Sequence, residues 1–531
     1  MRAPSRRTSP HRAAPGSASG PSTSRPASHR STSVRMTGRA SGRAFGRGLR
    51  PNALGPLDTV VMAVAGSAPA YSLSATAAVL VGAVGLAAPA ALLYCAIPML
   101  GIVLAYGRLG RIDVNAGAAY SWVGRTLHPS LGFLSGWALV VAATLFMVAG
   151  SLPAGQLTLS LIDPALASHT GLAGLVGAGW FLVMLLVVLG GARLTARAQL
   201  LLTGVELTIL LLFIIGVVLH RGAAAAFDWS WLGFSHFDGV SGFASGALVA
   251  AFCFWGWDVT GNLSEETRDG RRTAGFGALA GLAVVFLVFE AFTIAVNIVL
   301  AAGTVTPGAD ALVLLGEAVW PGIGGKLLVV AVMLSTVATL ETTLIQVTRS
   351  LFAMGRDRTM PAALGAVHRR WNTPWVAITV VGAVALVLFA AATTLGSVAD
   401  IVAEAVRAMG LLVAFYYGLA GVAAVVAYRR TLLTSLRELL LGGVWPLLGA
   451  VFMLWVFFES LSALGTASVA IGLGGLAAGL VPMAWYWRRG SSYYRPARLD
   501  AARALAAESP YQAVHRDRRP DAAHEALATD Y

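Results

Sequence analysis

Charge is scarce in this sequence. Asp, Glu, Lys and Arg make up 12% of its 531 residues, about half the share of a soluble globular chain, and 57% are hydrophobic before the 60 glycines are counted. A soluble fold would have too little polar surface. Cysteine is scarcer still. Cys95 and Cys253 both lie inside apolar runs, which excludes a disulfide framework and a cysteine-based zinc site. There is no histidine cluster with metal-ligand spacing, no phosphate loop and no nucleophile elbow. Neither an enzyme nor a resident metal or cofactor is therefore expected.

What is present is apolar length. From Leu57 to Trp487 the chain divides repeatedly into runs of about 20 residues, the length a bilayer-spanning helix needs, separated by short polar or Gly/Pro-containing breaks. That pattern predicts an all-α integral membrane protein rather than a barrel. Twelve transmembrane helices are expected, over 57–83, 87–107, 130–153, 172–191, 197–219, 243–263, 275–302, 326–348, 375–394, 403–427, 442–460 and 464–487.

Acidic residues are missing from residues 1–50, which hold eleven arginines. A formal charge of +13 would suit a nucleic-acid partner, but its concentration in tails and particular loops fits membrane orientation better, and no nucleic-acid partner is expected. Residues 1–50, rich in Ser, Arg, Pro, Gly and Ala without apolar periodicity, read as a disordered basic N-terminal tail. Residues 51–487 read as one twelve-span membrane domain, and 488–531 as a charged, disordered, cytoplasmic C-terminal tail. No apolar stretch follows the early arginines, so no cleavable signal peptide is expected; a start at Met36 would leave most of the tail untranslated.

The loop arginines fall on one side. Arg108, Arg111 and Arg125 follow span 2, Arg193 and Arg197 follow span 4, and Arg268, Arg271 and Arg272 follow span 6. Arg349, Arg356, Arg358, Arg369 and Arg370 follow span 8, and Arg429, Arg430 and Arg437 follow span 10, whereas the opposite loops offer Arg221 and Lys326. The asymmetry predicts a multi-pass protein of the plasma membrane with both termini in the cytoplasm.

Two spans are interrupted near their middles. Span 1 contains Gly66-Ser67-Ala68-Pro69-Ala70-Tyr71-Ser72, and span 6 contains Phe254-Trp255-Gly256-Trp257-Asp258 followed by Gly261 and Asn262. Gly and Pro are common in membrane helices, but breaks at corresponding positions of two five-helix halves point to a LeuT-type inverted-repeat carrier. A broken span 1 would expose N–H groups to a carboxylate, and the unwound carbonyls of span 6 would suit an ammonium group. The candidate substrate-binding residues are therefore Ala65, Gly66, Ser67, Ala68, Tyr71, Phe254, Trp255, Gly256 and Asp258. Among the aromatics Phe252, Phe254, Trp255 and Trp257, one could close over a bound solute; helix packing is the competing role.

Three further segments carry a family resemblance. Arg349-Ser350-Leu351-Phe352-Ala353-Met354-Gly355-Arg356-Asp357, then Met360-Pro361 and Asn372-Thr373-Pro374, resembles a cytoplasmic stretch of the amino acid-polyamine-organocation (APC) superfamily of permeases. Gly117-Ala118-Ala119-Tyr120-Ser121-Trp122-Val123, with Gly132-Phe133 and Gly136-Trp137, is similar to that family's segment joining spans 2 and 3. Phe254 to Asp258 with Glu265-Glu266 resembles its span 6 signature. The resemblance covers residues 50–487 and implies a five-plus-five inverted repeat with two additional helices. The first-span motif departs from it, lacking the Gly-x-Gly of better-known amino acid permeases.

A charge at the centre of a membrane helix costs about 2.5–3.5 kcal/mol on insertion scales, so intramembrane carboxylates are functional candidates. Asp258, Glu206, Glu290, Glu341 and Glu404 qualify. In a LeuT-type arrangement spans 5 and 8 flank the broken span 1, which makes Glu206 and Glu341 the candidates for proton coupling; gluing helices together is the alternative for each. Glu290 reads as a hydrogen-bonding group between helices. The hydroxyls of Ser335, Thr336 and Thr339 leave sodium as an alternative coupling ion. Glu404 and Arg407, three apart, are expected to pair. These features together predict proton-coupled import of an amino acid by alternating access. A polyamine, ethanolamine or other organic-cation carrier built on Asp258 is the first alternative, and a non-transporting nutrient sensor the second.

Overall fold

The computed structural model describes residues 48–220, 227–299, 311–395, 398–496 and 498–505. Most of the expected N-terminal tail, Arg221, the last residues of the expected seventh span and the chain end from 506 lie outside the described residues. Among those described, no strand occurs beyond an isolated bridge between Leu54 and Thr267. Eleven helical segments are long and apolar enough to cross a membrane. The expected sixth span is represented by a shorter apolar helix, Gly239–Cys253, because its second half is not continuous helix.

The main helices are α1 (Pro56–Ser67), α2 (Pro69–Val84), α3 (Ala88–Ile112), α4 (Ala119–Thr126), α5 (Pro129–Ser160), α6 (Thr170–Gly190), α7 (Ala192–His220), α8 (Gly239–Cys253), α9 (Gly270–Val299), α10 (Ala311–Val319), α11 (Gly324–Arg356), α12 (Trp375–Leu395), α13 (Val398–Tyr428), α14 (Trp445–Ala463), α15 (Thr466–Ala478) and α16 (Leu480–Arg488). Local chemistry sets many of their starts. Proline occupies the first turn of α1, α2, α3 and α5, where its missing N–H costs nothing. At α1 the Asp58 carboxylate also accepts from the Gly55 N–H at 2.7 Å.

Helices α1, α5, α11 and α13 form the interior. Helix α11 packs on α5 and α7, α13 on α5 and α14, and α9 on α1 and α3. The outer helices show a two-sided character. On α7, Leu200, Leu201, Leu211 and Leu212 point outward while Thr195, Gln199, Thr203 and Glu206 are buried.

The motifs that carried the resemblance meet in space. Arg349 donates through Nε and Nη2 to the two carboxylate oxygens of Glu266 at 2.9 and 3.2 Å, with both side chains fully buried. Arg356 donates through Nη1 to both carboxylate oxygens of Glu265, whose Oε1 also accepts from the Ala116 N–H at 2.8 Å. Asn262 donates to the Ala116 carbonyl and to Ser350. Three separate stretches of sequence thus close into one cluster.

The residues after Arg488 read as a tail, but the described part packs on the helical body. Tyr493 is buried, stacks on Tyr120 with centroids 4.6 Å apart and donates its hydroxyl to the Tyr120 carbonyl. Ser491 donates to the Asp357 carbonyl, the Leu499 N–H to the Arg125 carbonyl, and Asp500 pairs with Arg430 at 2.9 Å.

Candidate functional site

The span 1 interruption is one residue wide. Ala68 sits at φ 50° and ψ 63°, ending α1, and Pro69 starts α2. The left-handed conformation is uncommon for a residue with a Cβ. Span 6 unwinds after Cys253. Gly256 lies at φ +102°, a region that glycine alone enters without strain, and helix resumes briefly over Val259–Asn262.

The two interruptions touch. A Cβ on Gly66 would lie 2.3 Å from the Gly256 carbonyl oxygen, and one on Gly256 would lie 2.0 Å from the Gly66 oxygen. All nine residues expected at the site are buried.

The polar groups of span 1 are taken by side chains of α7 and α11. The Ala70 N–H donates to Glu206 Oε1 at 2.8 Å, and the Tyr71 N–H to Ser335 Oγ at 3.2 Å. The Ala68 N–H turns back to the Ala65 carbonyl and the Ser72 N–H donates to the Ala68 carbonyl, while Pro69 has no N–H to give. Thr339 donates to the Ala65 carbonyl at 2.9 Å. The N–H groups expected to hold a substrate carboxylate are therefore occupied, and a carboxylate of the chain itself holds the foremost of them. Glu206 Oε2 has no partner among the described residues.

Asp258 anchors the span 6 side. Its carboxylate accepts from Gln346 at 2.8 Å and Tyr416 at 3.1 Å through Oδ2, and from Tyr417 at 2.9 Å through Oδ1. The Trp255 indole N–H in turn donates to the Tyr416 hydroxyl at 2.8 Å. No lysine, arginine or histidine among the described residues pairs with Asp258. Aromatic rings surround this group. Tyr71, Phe146 and Trp255 form an edge-to-face chain, and Tyr106, Trp257 and Tyr417 form a second cluster.

Sequence reasoning brought Asp258, Trp255 and Glu206 to this centre but missed Gln346, Tyr416, Tyr417, Tyr106 and Phe146. These sit in apolar helices whose inward face a single sequence does not mark. Glu341 is also buried, but it stands apart from the breaks. Its Oε2 accepts from Gln199 at 2.5 Å. Glu290, expected to glue helices, has no hydrogen-bond partner for either carboxylate oxygen among the described residues. Glu404 pairs with Arg407 at 2.9 Å and accepts from Ser468. No group of three or more His, Cys, Asp or Glu among the described residues could hold a metal ion.

Comparison with known proteins agrees with this architecture. A family model described as "Amino acid permease" matches residues 54–478. The low-affinity putrescine importer PlaP of Escherichia coli (strain K12) is 26% identical over 405 residues, covering 72% of this chain and 84% of PlaP. An uncharacterized transporter of Mycobacterium tuberculosis is 28% identical over 436 residues, 80% of this chain and 90% of its own length. The serine/threonine exchanger SteT of Bacillus subtilis is 24% identical over 298 residues, 54% and 64% of the two chains. With the touching breaks in spans 1 and 6 and a match that runs through nearly every helix, this chain belongs to the amino acid permease family of the APC superfamily.

Proposed function

We propose that this protein is a secondary active transporter of the plasma membrane, with both termini cytoplasmic, that imports a small amine-bearing solute by alternating access with proton symport. The solute sits between the breaks of spans 1 and 6. Its ammonium group takes the place of a counter-charge for Asp258, and the rings of Tyr71, Phe146 and Trp255 pack on its apolar part. Trp255, tied to Tyr416, closes the pocket over it.

An organic cation suits this site better than an α-amino acid. The observation that carries this preference is the occupancy of the α2 N-terminus by Glu206 and Ser335, which leaves positions 68–71 without an N–H for a second carboxylate. A buried carboxylate held by neutral donors alone gains most from a cation. The amino acid reading is supported by the family's description and by the name of the serine/threonine exchanger. It requires Glu206 to release Ala70.

Coupling is assigned to Glu206. One of its oxygens is bonded to the backbone of span 1 and the other has no hydrogen-bond partner among the described residues, so a proton arriving at Oε2 changes what holds the break while the carboxyl stays in place. Uptake of radiolabelled putrescine, ethanolamine, serine and leucine by purified protein in liposomes, with and without an inward proton gradient, tests both assignments. Gradient-driven accumulation of the amines supports the reading; accumulation of the amino acids alone transfers it to the zwitterion.

A further inference from the structure

One seam of the molecule carries more polarity than helix packing explains. Along α7, Thr195, Gln199, Thr203 and Glu206 come at intervals of four, four and three residues, which places them within one face of the helix. All four are buried, as is Glu341 opposite them on α11. Polar side chains that glue membrane helices are hydrogen-bonded to their neighbours. Here Gln199 Oε1, Thr203 Oγ1, Glu206 Oε2 and Glu341 Oε1 have no partner among the described residues. The one strong contact in the row, Gln199 Nε2 donating to Glu341 Oε2 and to the Ala338 carbonyl, fixes the two side chains to each other and leaves an acceptor oxygen on each.

We infer that this row is a proton relay joining Glu206 at the span 1 break to the Arg193/Arg197 end of α7, by way of Thr203, the Gln199–Glu341 pair and Thr195. The inference rests on the assignment of Glu206 to coupling. Successive members are separated by about one helical turn, roughly 4.5–6 Å of rise, a spacing that the relay bridges with one water bonded to both neighbours. The proton passes by O–H groups alone, over Glu206, Thr203, Glu341, Thr195 and the waters between them, while the Gln199 amide holds Glu341 in place; at each transfer one O–H bond breaks as the next forms, so one proton leaves Glu206 and one is taken up by water at the far end. Glu341 is the only other group in the row that can hold the proton.

The surroundings leave the row to itself. Of the helices packed on α7 and α11, α5, α6 and α12 carry no ionisable side chain, α1 carries Asp58 in its first turn and α2 carries Tyr71. Helix α9 carries Arg271, Arg272 and Glu290, and α10 carries Glu317, which caps the start of α11. Within α7 and α11 themselves, Arg193, Arg197, His220, Lys326, Arg349 and Arg356 lie toward the ends.

The test needs no substrate. Infrared spectra of the purified protein identify the protonated carboxyl band lost in Glu206→Gln, and transfer to D₂O then times its deuteration. The relay predicts that Thr203→Val and Glu341→Gln, both melting within a few degrees of the parent, slow that exchange by about tenfold or more. Exchange within twofold of the parent in both variants overturns the relay while leaving the coupling assignment standing. If Glu206→Gln removes no protonated band between about pH 5 and 8, the coupling assignment itself fails and the relay with it.

Discussion

Gly66 and Gly256, 190 positions apart in the chain, press backbone against backbone so closely that neither can carry a side chain. This contact joins the two interrupted spans. Gly66→Ala places a methyl group 2.3 Å from a carbonyl oxygen that belongs to the backbone. The expected result is a cost of about 1–3 kcal/mol and loss of uptake, read by thermal unfolding in detergent and by liposome assay. A Gly66→Ala protein that melts and transports like the parent would show that the breaks can separate freely.

Replacing Asp258 by Asn keeps the shape of the side chain but removes the charge and puts an NH₂ donor in place of one carboxylate oxygen, against either the Tyr417 hydroxyl or the Gln346 amide and Tyr416 hydroxyl. Uptake of amines is expected to fall at least about tenfold, equivalent to some 1.4 kcal/mol, with amino acid counterflow little changed. An equal loss of both would assign Asp258 to holding α11 and α13 against the break rather than to the solute.

Much of this site was legible in the sequence, and the reasons differ by residue. Glycine and proline at mid-span announced both breaks, because Gly66, Pro69 and Gly256 fall at corresponding positions of two five-helix halves. A single carboxylate in an apolar run announced Asp258 and Glu206 by its cost. The tyrosines of α13 were illegible, because Tyr416 and Tyr417 look like any aromatic pair in an apolar helix until the fold brings them across 158 and 159 residues to Asp258. The occupancy of the span 1 N–H groups was illegible for a similar reason: that Glu206 would reach Ala70 depends on how α7 is turned.

The buried Glu266–Arg349 pair offers a sharp test of the cluster that ties the motifs together. Arg349→Met strands Glu266 without a partner in a site with no solvent, and should cost about 3–5 kcal/mol. Adding Glu266→Gln removes the stranded charge and is expected to recover part of the loss in a double-mutant cycle. Lysine cannot reproduce the forked contact, so Arg349→Lys should resemble Arg349→Met more than the parent.

Asp357, just past the end of α11, is held above the usual aspartate range by burial, with the Arg356 guanidinium pulling the other way. The folded protein therefore binds this proton more readily than the unfolded chain. The stabilisation is complete below the unfolded value and declines as pH rises through the folded one. Asp357→Asn is expected to raise the melting temperature at neutral pH and to lose that advantage below about pH 4. An advantage that persists at acidic pH would trace it to something other than the carboxyl's charge.

The break in span 1 also bears on affinity. Ala68 is already in the left-handed conformation, Pro69 already forbids the hydrogen bond that would continue α1, and Glu206 and Ser335 already cap the first turn of α2. The unwinding is accomplished when the chain folds, so a solute bound at the break, as proposed, need not melt a helix there. Variants that let α1 and α2 fuse into one rod, such as Pro69→Ala, would bring that melting back into the binding step, and solutes of every kind would then bind more weakly by a common factor.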